Sequence, residues 1–321
     1  MTAQAAPAAE LSAAIVAGDR RAAARLISRI ESRDPAIAPV LQSLYSRGVS
    51  PRVIGITGPP GAGKSTMVDQ LIARWRSRNE RVAVLAVDPS SPTSGGAILG
   101  DRVRMTRHNT DPDVFIRSMS ARGRLGGLSS ATGDALIVLA AMGFQRIVVE
   151  TVGTGQNEID VLHHADTVVV VQTPANGDAV QAMKSGLLEI ADVFVVNKSD
   201  TPGADRMVAL LRESVEFSAG HADAWAAPVL KAQAANEIGI EEIESALAAH
   251  AEYLSSHPDY DAARRRNRAR ALLMERLAEL LRSRYDTDAR QASLFEEQLN
   301  EVLLRRCDPH TAALNLLHSV T

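Results

Sequence analysis

VIGITGPPGAGKSTMVDQLIARW, residues 53–75, is the stretch on which the fold turns. VIGIT reads as a strand and STMVDQLIARW as a helix. Between them, Gly58-Pro59-Pro60-Gly61-Ala62-Gly63-Lys64-Ser65 matches the pattern G-x-x-x-x-G-K-[ST]. Strand, loop and helix in that order are the context in which the pattern signifies a phosphate cradle rather than a turn that merely caps a helix. Glycine lets the backbone wrap closely enough for successive N–H groups to face phosphate oxygens, and the helix N-terminus adds partial positive charge. In such a cradle Lys64 reaches the β- and γ-phosphates, Ser65 offers its hydroxyl to Mg²⁺, and Thr66 follows in the first turn.

Outward from this stretch, short β-branched runs alternate with longer helical ones as far as about residue 229. Strands are predicted at 53–57, 82–87, 146–150, 167–172, 193–197 and 227–230, with DVFIRS at 113–118 as an edge strand. The alternation predicts an α/β fold of the P-loop NTPase type, a mostly parallel sheet flanked by helices. Residues 1–48 carry Leu11, Ile15, Leu26, Ile27, Ile30, Leu41 and Leu44 at one-sided helical spacing, which predicts a helical N-terminal arm. Residues 49–255 then form the nucleotide-binding domain, and 256–321 a helical C-terminal extension. In that extension Leu273, Leu277, Leu280 and Leu281 lie at helical spacing near the run Arg264, Arg265, Arg266, and Leu294, Phe295, Leu299, Val302 and Leu303 share a second face. The arginine run is expected to face solvent. The apolar stripes are expected to pack on the sheet domain or on a second copy of the chain, and of the two we expect a dimer.

Asn197-Lys198-Ser199-Asp200 stands at the end of the predicted strand VFVVN, the N-K-x-D arrangement that holds guanine. The C-terminal edge of a later strand is where a doubly wound sheet keeps its ligand. Asp200 can accept from both the ring N1–H and the exocyclic amine of guanine, whereas adenine would leave the carboxylate unpaired. A site of this kind discriminates by up to about 10⁴- to 10⁵-fold. Four residues alone also describe a solvated turn, but following a phosphate loop at this separation they predict a GTP site. The third base-contacting loop is expected at Gln233-Ala234-Ala235, with the Ala234 N–H meeting the guanine carbonyl.

Asp88, Asp101 and Glu150 flank the expected phosphate end and are candidate Mg²⁺ ligands beside Ser65, each against the alternative of a cap or surface carboxylate. Glu150-Thr151-Val152-Gly153 occupies the D-x-x-G position, with Gly153 offering an N–H to the γ-phosphate. The next residue is Thr154, so no glutamine follows to orient water and unaided hydrolysis is expected to be slow. Lys64 and Glu150 are thus the catalytic candidates read from the residues themselves.

The bulk numbers exclude more than they assign. With 321 residues, 45% of them hydrophobic, the chain can bury a full α/β core with helical appendages. A balance of 35 basic against 38 acidic residues supplies no global field for nucleic acid or an anionic membrane. Cys307 is the one cysteine, which excludes a disulfide framework and a multi-cysteine metal site. No apolar run approaches the ~20 residues that span a bilayer, and MTAQAAPAAELSAAI lacks the regions of a signal peptide. We therefore expect a cytoplasmic protein without membrane or nucleic-acid partners. His163 and His164 are adjacent and cannot share one metal from a helix; Trp75 and Trp225 are expected to fill core or surface. Arg122 and Arg124 either steer an acidic partner or phosphate, or simply belong to a solvated loop.

The segments GPPGAGKS, VDPSSPTSGGAILGDRVRM, FIRSMSARGRLGGL, VVETVGTGQNEID, TPANGDAVQAMKSGLLEIAD and NKSD together resemble the methylmalonyl-CoA mutase-associated GTPases of the MeaB/ArgK type, a family that includes the human methylmalonic aciduria type A protein. The resemblance is continuous over residues 53–200 and looser outside. It implies a homodimeric GTPase related to the metallochaperone GTPases, serving as chaperone to an adenosylcobalamin-dependent acyl-CoA mutase, with an adenosyltransferase as a further partner. It also implies that Asp88 belongs to a first switch and that Asp101 and Glu150 organise Mg²⁺ and water. Residues 174–187 become a third switch, in which Gln181 and Lys184 move toward the nucleotide when the mutase docks. Read without the family, QAMKSGLLEI is equally an ordinary amphipathic helix with Lys184 in solvent.

Two other functions share the same sheet and loop. A metallochaperone that inserts nickel, zinc or cobalt normally carries thiols or a histidine-rich tract, and here Cys307 is alone and eight histidines are scattered. A P-loop kinase or ATPase would not need the guanine-selecting Asp200.

Overall fold

Seven strands form one sheet in the order β3-β2-β4-β1-β5-β6-β7: β1 (Arg52–Thr57), β2 (Val82–Asp88), β3 (Val114–Ser120), β4 (Arg146–Thr151), β5 (Thr167–Gln172), β6 (Val193–Val196) and β7 (Val229–Lys231). The computed structural model describes residues 5–47, 51–88, 106–108, 110–120, 127–151, 163–174, 190–218 and 225–319. Every predicted strand is present, and each described ladder is parallel, so the sheet is a P-loop NTPase sheet with β1 at its centre between β4 and β5. Register places Ile56 opposite Glu150 and Thr57 opposite Val170, which brings the end of β4 alongside the start of the glycine loop.

Why the strands read as unbroken apolar runs is visible in the packing. Alternate residues serve opposite faces, and both faces are covered. Leu85, Val87, Ile147, Val149, Val168, Val170, Phe194 and Val196 share one apolar cluster with helices α1 (Ala5–Val16), α2 (Arg20–Glu31), α3 (Ala38–Tyr45), α5 (Gly127–Ala141) and α6 (Ala204–Ser218). Ile54, Ile56, Val84, Val148, Val169, Val171 and Val195 share the other with α4 (Lys64–Ser77) and α7 (Ile240–Ser256). The predicted N-terminal helices are formed, and Ile15, Leu26, Ile27, Ile30 and Leu44 are buried in the first cluster. Asp19 caps α2 by accepting from the N–H groups of Arg21 and Ala22.

The chain divides into two compact units, Met1–Arg268 and Ala269–Thr321. Helix α8 (Pro258–Thr287) contributes to both, followed by α9 (Ala289–Leu303) and α10 (Pro309–His318), ten α-helices in all among the described residues. Within the second unit Tyr285 Oη donates to the Leu316 carbonyl at 2.7 Å and Asn315 Nδ2 to Gln298 Oε1 at 3.0 Å. Leu273, Met274, Leu277 and Leu280 of α8 are exposed, as are Leu299 and Leu303 of α9. Among the described residues, no helix is long and apolar enough to cross a membrane.

Candidate functional site

The loop that follows β1 owes its course to three glycines with positive φ: Gly58 at 143°, Gly61 at 75° and Gly63 at 87°. Two of them are also required by what lies behind the loop. A Cβ on Gly58 would sit 2.0 Å from the Val171 carbonyl oxygen, and one on Gly63 would sit 2.3 Å from Asn197 Nδ2. Gly61 has open space on that side, with nothing within 4 Å. The loop is therefore pressed against β5 and Asn197 at its ends and stands clear in the middle, where Pro60 and Gly61 are exposed.

Gly63 is the N-cap of α4 and no side chain caps the helix, which leaves first-turn N–H groups directed into the loop. Lys64, the first residue of α4, is buried and folds back so that Nζ donates to the carbonyls of Gly58 at 2.7 Å and Pro59 at 3.1 Å. The ammonium is held over the cradle by the loop itself. Beside it the Ser65 hydroxyl donates to Glu150 Oε1 at 2.6 Å, both side chains buried. The neighbouring Thr151 Oγ1 donates to Thr57 Oγ1 at 2.9 Å, joining the last turns of β4 and β1. A hydroxyl and a carboxylate are hard oxygen donors of the kind Mg²⁺ takes, and a glycine cradle, lysine and uncapped helix end suit a polyphosphate, so these residues fit a metal-bound nucleotide.

The glycine loop is joined to the loop after β7 by Asn197, at the end of β6. Its Nδ2 donates to the Ala62 carbonyl at 2.8 Å, and its Oδ1 accepts the Ala234 N–H at 2.9 Å. The expectation that the Ala234 N–H meets the guanine carbonyl is thereby corrected, because the bridge to Asn197 engages that donor and Ala234 is 1% exposed. Gln233 forms a two-way backbone bridge with Ile238 that closes the loop, and Ala235 within it is exposed. Lys198 takes a left-handed φ of 55° and its carbonyl accepts from Thr201 N and Oγ1, turning the chain so that Lys198 and Asp200 are both exposed at the sheet edge.

The structure thus brings Gly58, Pro59, Pro60, Gly61, Ala62, Gly63, Lys64, Ser65, Thr66, Glu150, Asn197, Lys198, Asp200, Gln233, Ala234 and Ala235 to one sheet edge. Asp88 is the last residue of β2, the strand next to β4. Asp101, Gly153, Gln181, Lys184, Arg122 and Arg124 lie outside the described residues. Not singled out from sequence were Thr57 and Thr151, whose signal was a hydroxyl at the last position of a strand. Also missed was Asp69, one turn beyond Ser65 on α4, which pairs with Arg107 at 2.7 Å and His108 at 3.2 Å.

The family model described as methylmalonyl Co-A mutase-associated GTPase MeaB matches residues 23–289. A protein of Pyrococcus abyssi that carries the name of a GTPase is 42% identical over 305 residues, covering 94% of this chain and 94% of its own. The mouse mitochondrial methylmalonic aciduria type A homolog is 35% identical over 249 residues, 71% of this chain and 59% of its own. A crystal structure of a LAO/AO transport system kinase superposes with a TM-score of 0.72 over 98% of each chain at 24% identity, a likeness of fold alone.

Proposed function

This chain belongs to the methylmalonyl-CoA mutase-associated GTPase family, and from that premise we propose that it uses GTP hydrolysis as the chaperone of an adenosylcobalamin-dependent acyl-CoA mutase, gating cofactor loading and protecting or reactivating the enzyme. GTPase activity comes with the family. The joined site supports the nucleotide half of this reading, with Lys64 over the glycine loop, Ser65 on Glu150, and Asn197 fastening that loop to the loop after β7; the mutase half is supported by the family and by the methylmalonic aciduria type A relative.

In this reading Ser65 and Glu150 would hold Mg²⁺, Asp88 and Asp101 would complete the acidic set, and the ion would neutralise charge on the phosphates. Lys64 gives up its loop carbonyls for phosphate oxygens, and Gly153 reports the γ-phosphate through its N–H. Asp200 selects guanine. With Thr154 in place of a water-orienting glutamine, the docked mutase brings Gln181 and Lys184 to the nucleotide and so accelerates hydrolysis; loss of the γ-phosphate then releases the loops. The same proposal has the protein act as a homodimer in the cytoplasm, with an adenosyltransferase as a second partner.

GTP turnover measured with and without candidate acyl-CoA mutases tests this. A mutase partner raises the rate severalfold or more. Lys184→Ala keeps basal turnover and loses the stimulation, while Lys64→Ala loses nucleotide binding. An unchanged rate with every adenosylcobalamin mutase tried, or equal stimulation of Lys184→Ala, would overturn the partner or the switch assignment respectively.

A further inference from the structure

At the opposite edge of the sheet two aspartates, each one residue ahead of a strand, bind the strand starts together. Asp166 Oδ2 accepts the Val53 N–H of β1 at 2.9 Å, and the Asp166 N–H donates to the Val53 carbonyl at 2.8 Å. Asp192, just before β6, repeats the arrangement on β5: Oδ2 accepts the Val168 N–H at 2.9 Å, and the Asp192 N–H donates to the Val168 carbonyl at 2.9 Å. Both carboxylates are gripped by one helix. Arg264 of α8 places Nη1 at 2.7 Å from Asp192 Oδ1 and Nη2 at 2.9 Å from Oδ2. One turn on, Arg268 places Nη2 at 2.7 Å from Asp166 Oδ1 and Nη1 at 2.6 Å from the Ala165 carbonyl. The side chains are 7% exposed for Asp192 and 17% for Asp166 and Arg268, so water contributes little to holding them.

The three strands so fastened are those whose other ends build the nucleotide site. β1 leads into Gly58, β6 leads into Asn197, and the last residue of β5, Gln172, accepts the Asn197 N–H at 2.8 Å. Partly buried ion pairs like these gain little stability over apolar packing, because desolvation offsets their attraction, and their better-attested effect is to fix register. Here the register is the rise of β1, β5 and β6 relative to one another. Strands are stiff and interiors close-packed, so an offset at the start of a strand is carried to its end.

We propose that Arg264 and Arg268 are positioning residues of the nucleotide site, acting from the far edge of the sheet through Asp192 and Asp166 on the strands that present the glycine loop and Asn197. The proposal rests on the reading of that site as a guanine-nucleotide site. Neither arginine touches nucleotide. Each holds the span between the phosphate end and the base end, and a slackened span shortens the residence of a ligand that must reach both.

The test is the rate of GDP release, followed with a fluorescent GDP analogue on the full chain well below the thermal midpoint of each variant. Arg264→Gln and Arg268→Gln release GDP about three- to tenfold faster than the unmodified protein. Arg264→Lys, which keeps the charge but offers no fork, falls between. Arg117→Gln is the control for lost stability alone: it breaks the 2.5 Å pair with Glu31 that ties β3 to α2 and lowers the midpoint without altering release. If both glutamine variants lose midpoint as the control does and keep the unmodified release rate, the inference is overturned. Should they not fold, unaltered release from Arg264→Lys and Arg268→Lys overturns it equally. Failure of the unmodified protein to bind GDP at all instead overturns the underlying reading of the site.

Discussion

Replacing Asn197 by alanine should damage both halves of the nucleotide site at once, and by an amount that can be worked from two hydrogen bonds. The amide donates to the Ala62 carbonyl at 2.8 Å and accepts the Ala234 N–H at 2.9 Å. Asn197 is 3% exposed, Ala62 0% and Ala234 1%, so water cannot take the vacated places without rearrangement. Two neutral hydrogen bonds contribute about 1 kcal/mol each, and leaving a buried carbonyl and N–H unsatisfied costs about 1–3 kcal/mol apiece. Partial relaxation of the loops brings the expected loss to about 2–4 kcal/mol. Asn197→Asp should be no milder: it keeps an acceptor for Ala234 but sets a carboxylate oxygen against the Ala62 carbonyl, with no proton between them at neutral pH. Urea unfolding of the nucleotide-free protein gives the stability term, and calorimetry with GDP gives the binding term. Since every 1.4 kcal/mol is tenfold, a site whose loops are no longer joined should lose at least about tenfold in GDP affinity. If Asn197→Ala unfolds within about 0.5 kcal/mol of the unmodified protein and binds GDP as tightly, the asparagine is not the brace between the two loops.

The three loop glycines should rank differently in stability although all have positive φ. Gly58→Ala drives a Cβ to 2.0 Å from the Val171 carbonyl and should abolish folding or shift β1; Gly63→Ala displaces only the Asn197 side chain; Gly61→Ala meets nothing and loses about 1 kcal/mol of conformational preference. Thermal midpoints falling in any other order would contradict the packing described. A pH effect should come from His250, which is fully buried with Nδ1 2.8 Å from Thr167 Oγ1. Burial lowers its pKa from 6.5, Asp192 and Asp166 oppose the shift, and Arg264 and Arg52 reinforce it. A histidine depressed in the folded state contributes stability that is whole above the unfolded value near 6.5 and is lost as pH falls toward the folded one. The midpoint of the unmodified protein should therefore drop between pH 7.5 and 5.5 more steeply than that of His250→Gln; parallel slopes would remove His250 as the cause.

The sheet was legible in the sequence because strands buried on both faces must be apolar throughout, and VAVLAV and TVVVVQ admit no other reading at that length. The glycine loop and Asn197-Lys198-Ser199-Asp200 were legible because each places a backbone or side-chain demand on fixed positions. The occupation of the Ala234 N–H was not, since it depends on loops 37 residues apart meeting across β6 and β7. Nor was the fate of Arg264. The run Arg264-Arg265-Arg266 was expected in solvent, and the structure corrects this for Arg264, whose guanidinium forks onto Asp192, while Arg265 is 56% exposed. Burial works against that charge, but the hydrogen bonds and charge of Asp192 more than offset it and hold Arg264 above its ordinary value. A signal did exist: Ala165-Asp166 and Ala191-Asp192 stand identically before two apolar strands, and Arg264 and Arg268 share a helix face four residues apart. Only the fold says that these two pairs meet.

The burial of Ile15, Leu26, Ile27 and Ile30 against α5 has a bearing on how the chain is made. These helices leave the ribosome before the surface that receives them, which is translated roughly 100 residues later, about 5–20 s at ordinary elongation speeds. For that interval an apolar face has no native counterpart. Biogenesis of this protein should consequently depend on holding factors more than its final stability suggests, and translation begun at Arg52 should yield a nucleotide-site sheet that aggregates through the side that α1, α2 and α3 would have covered.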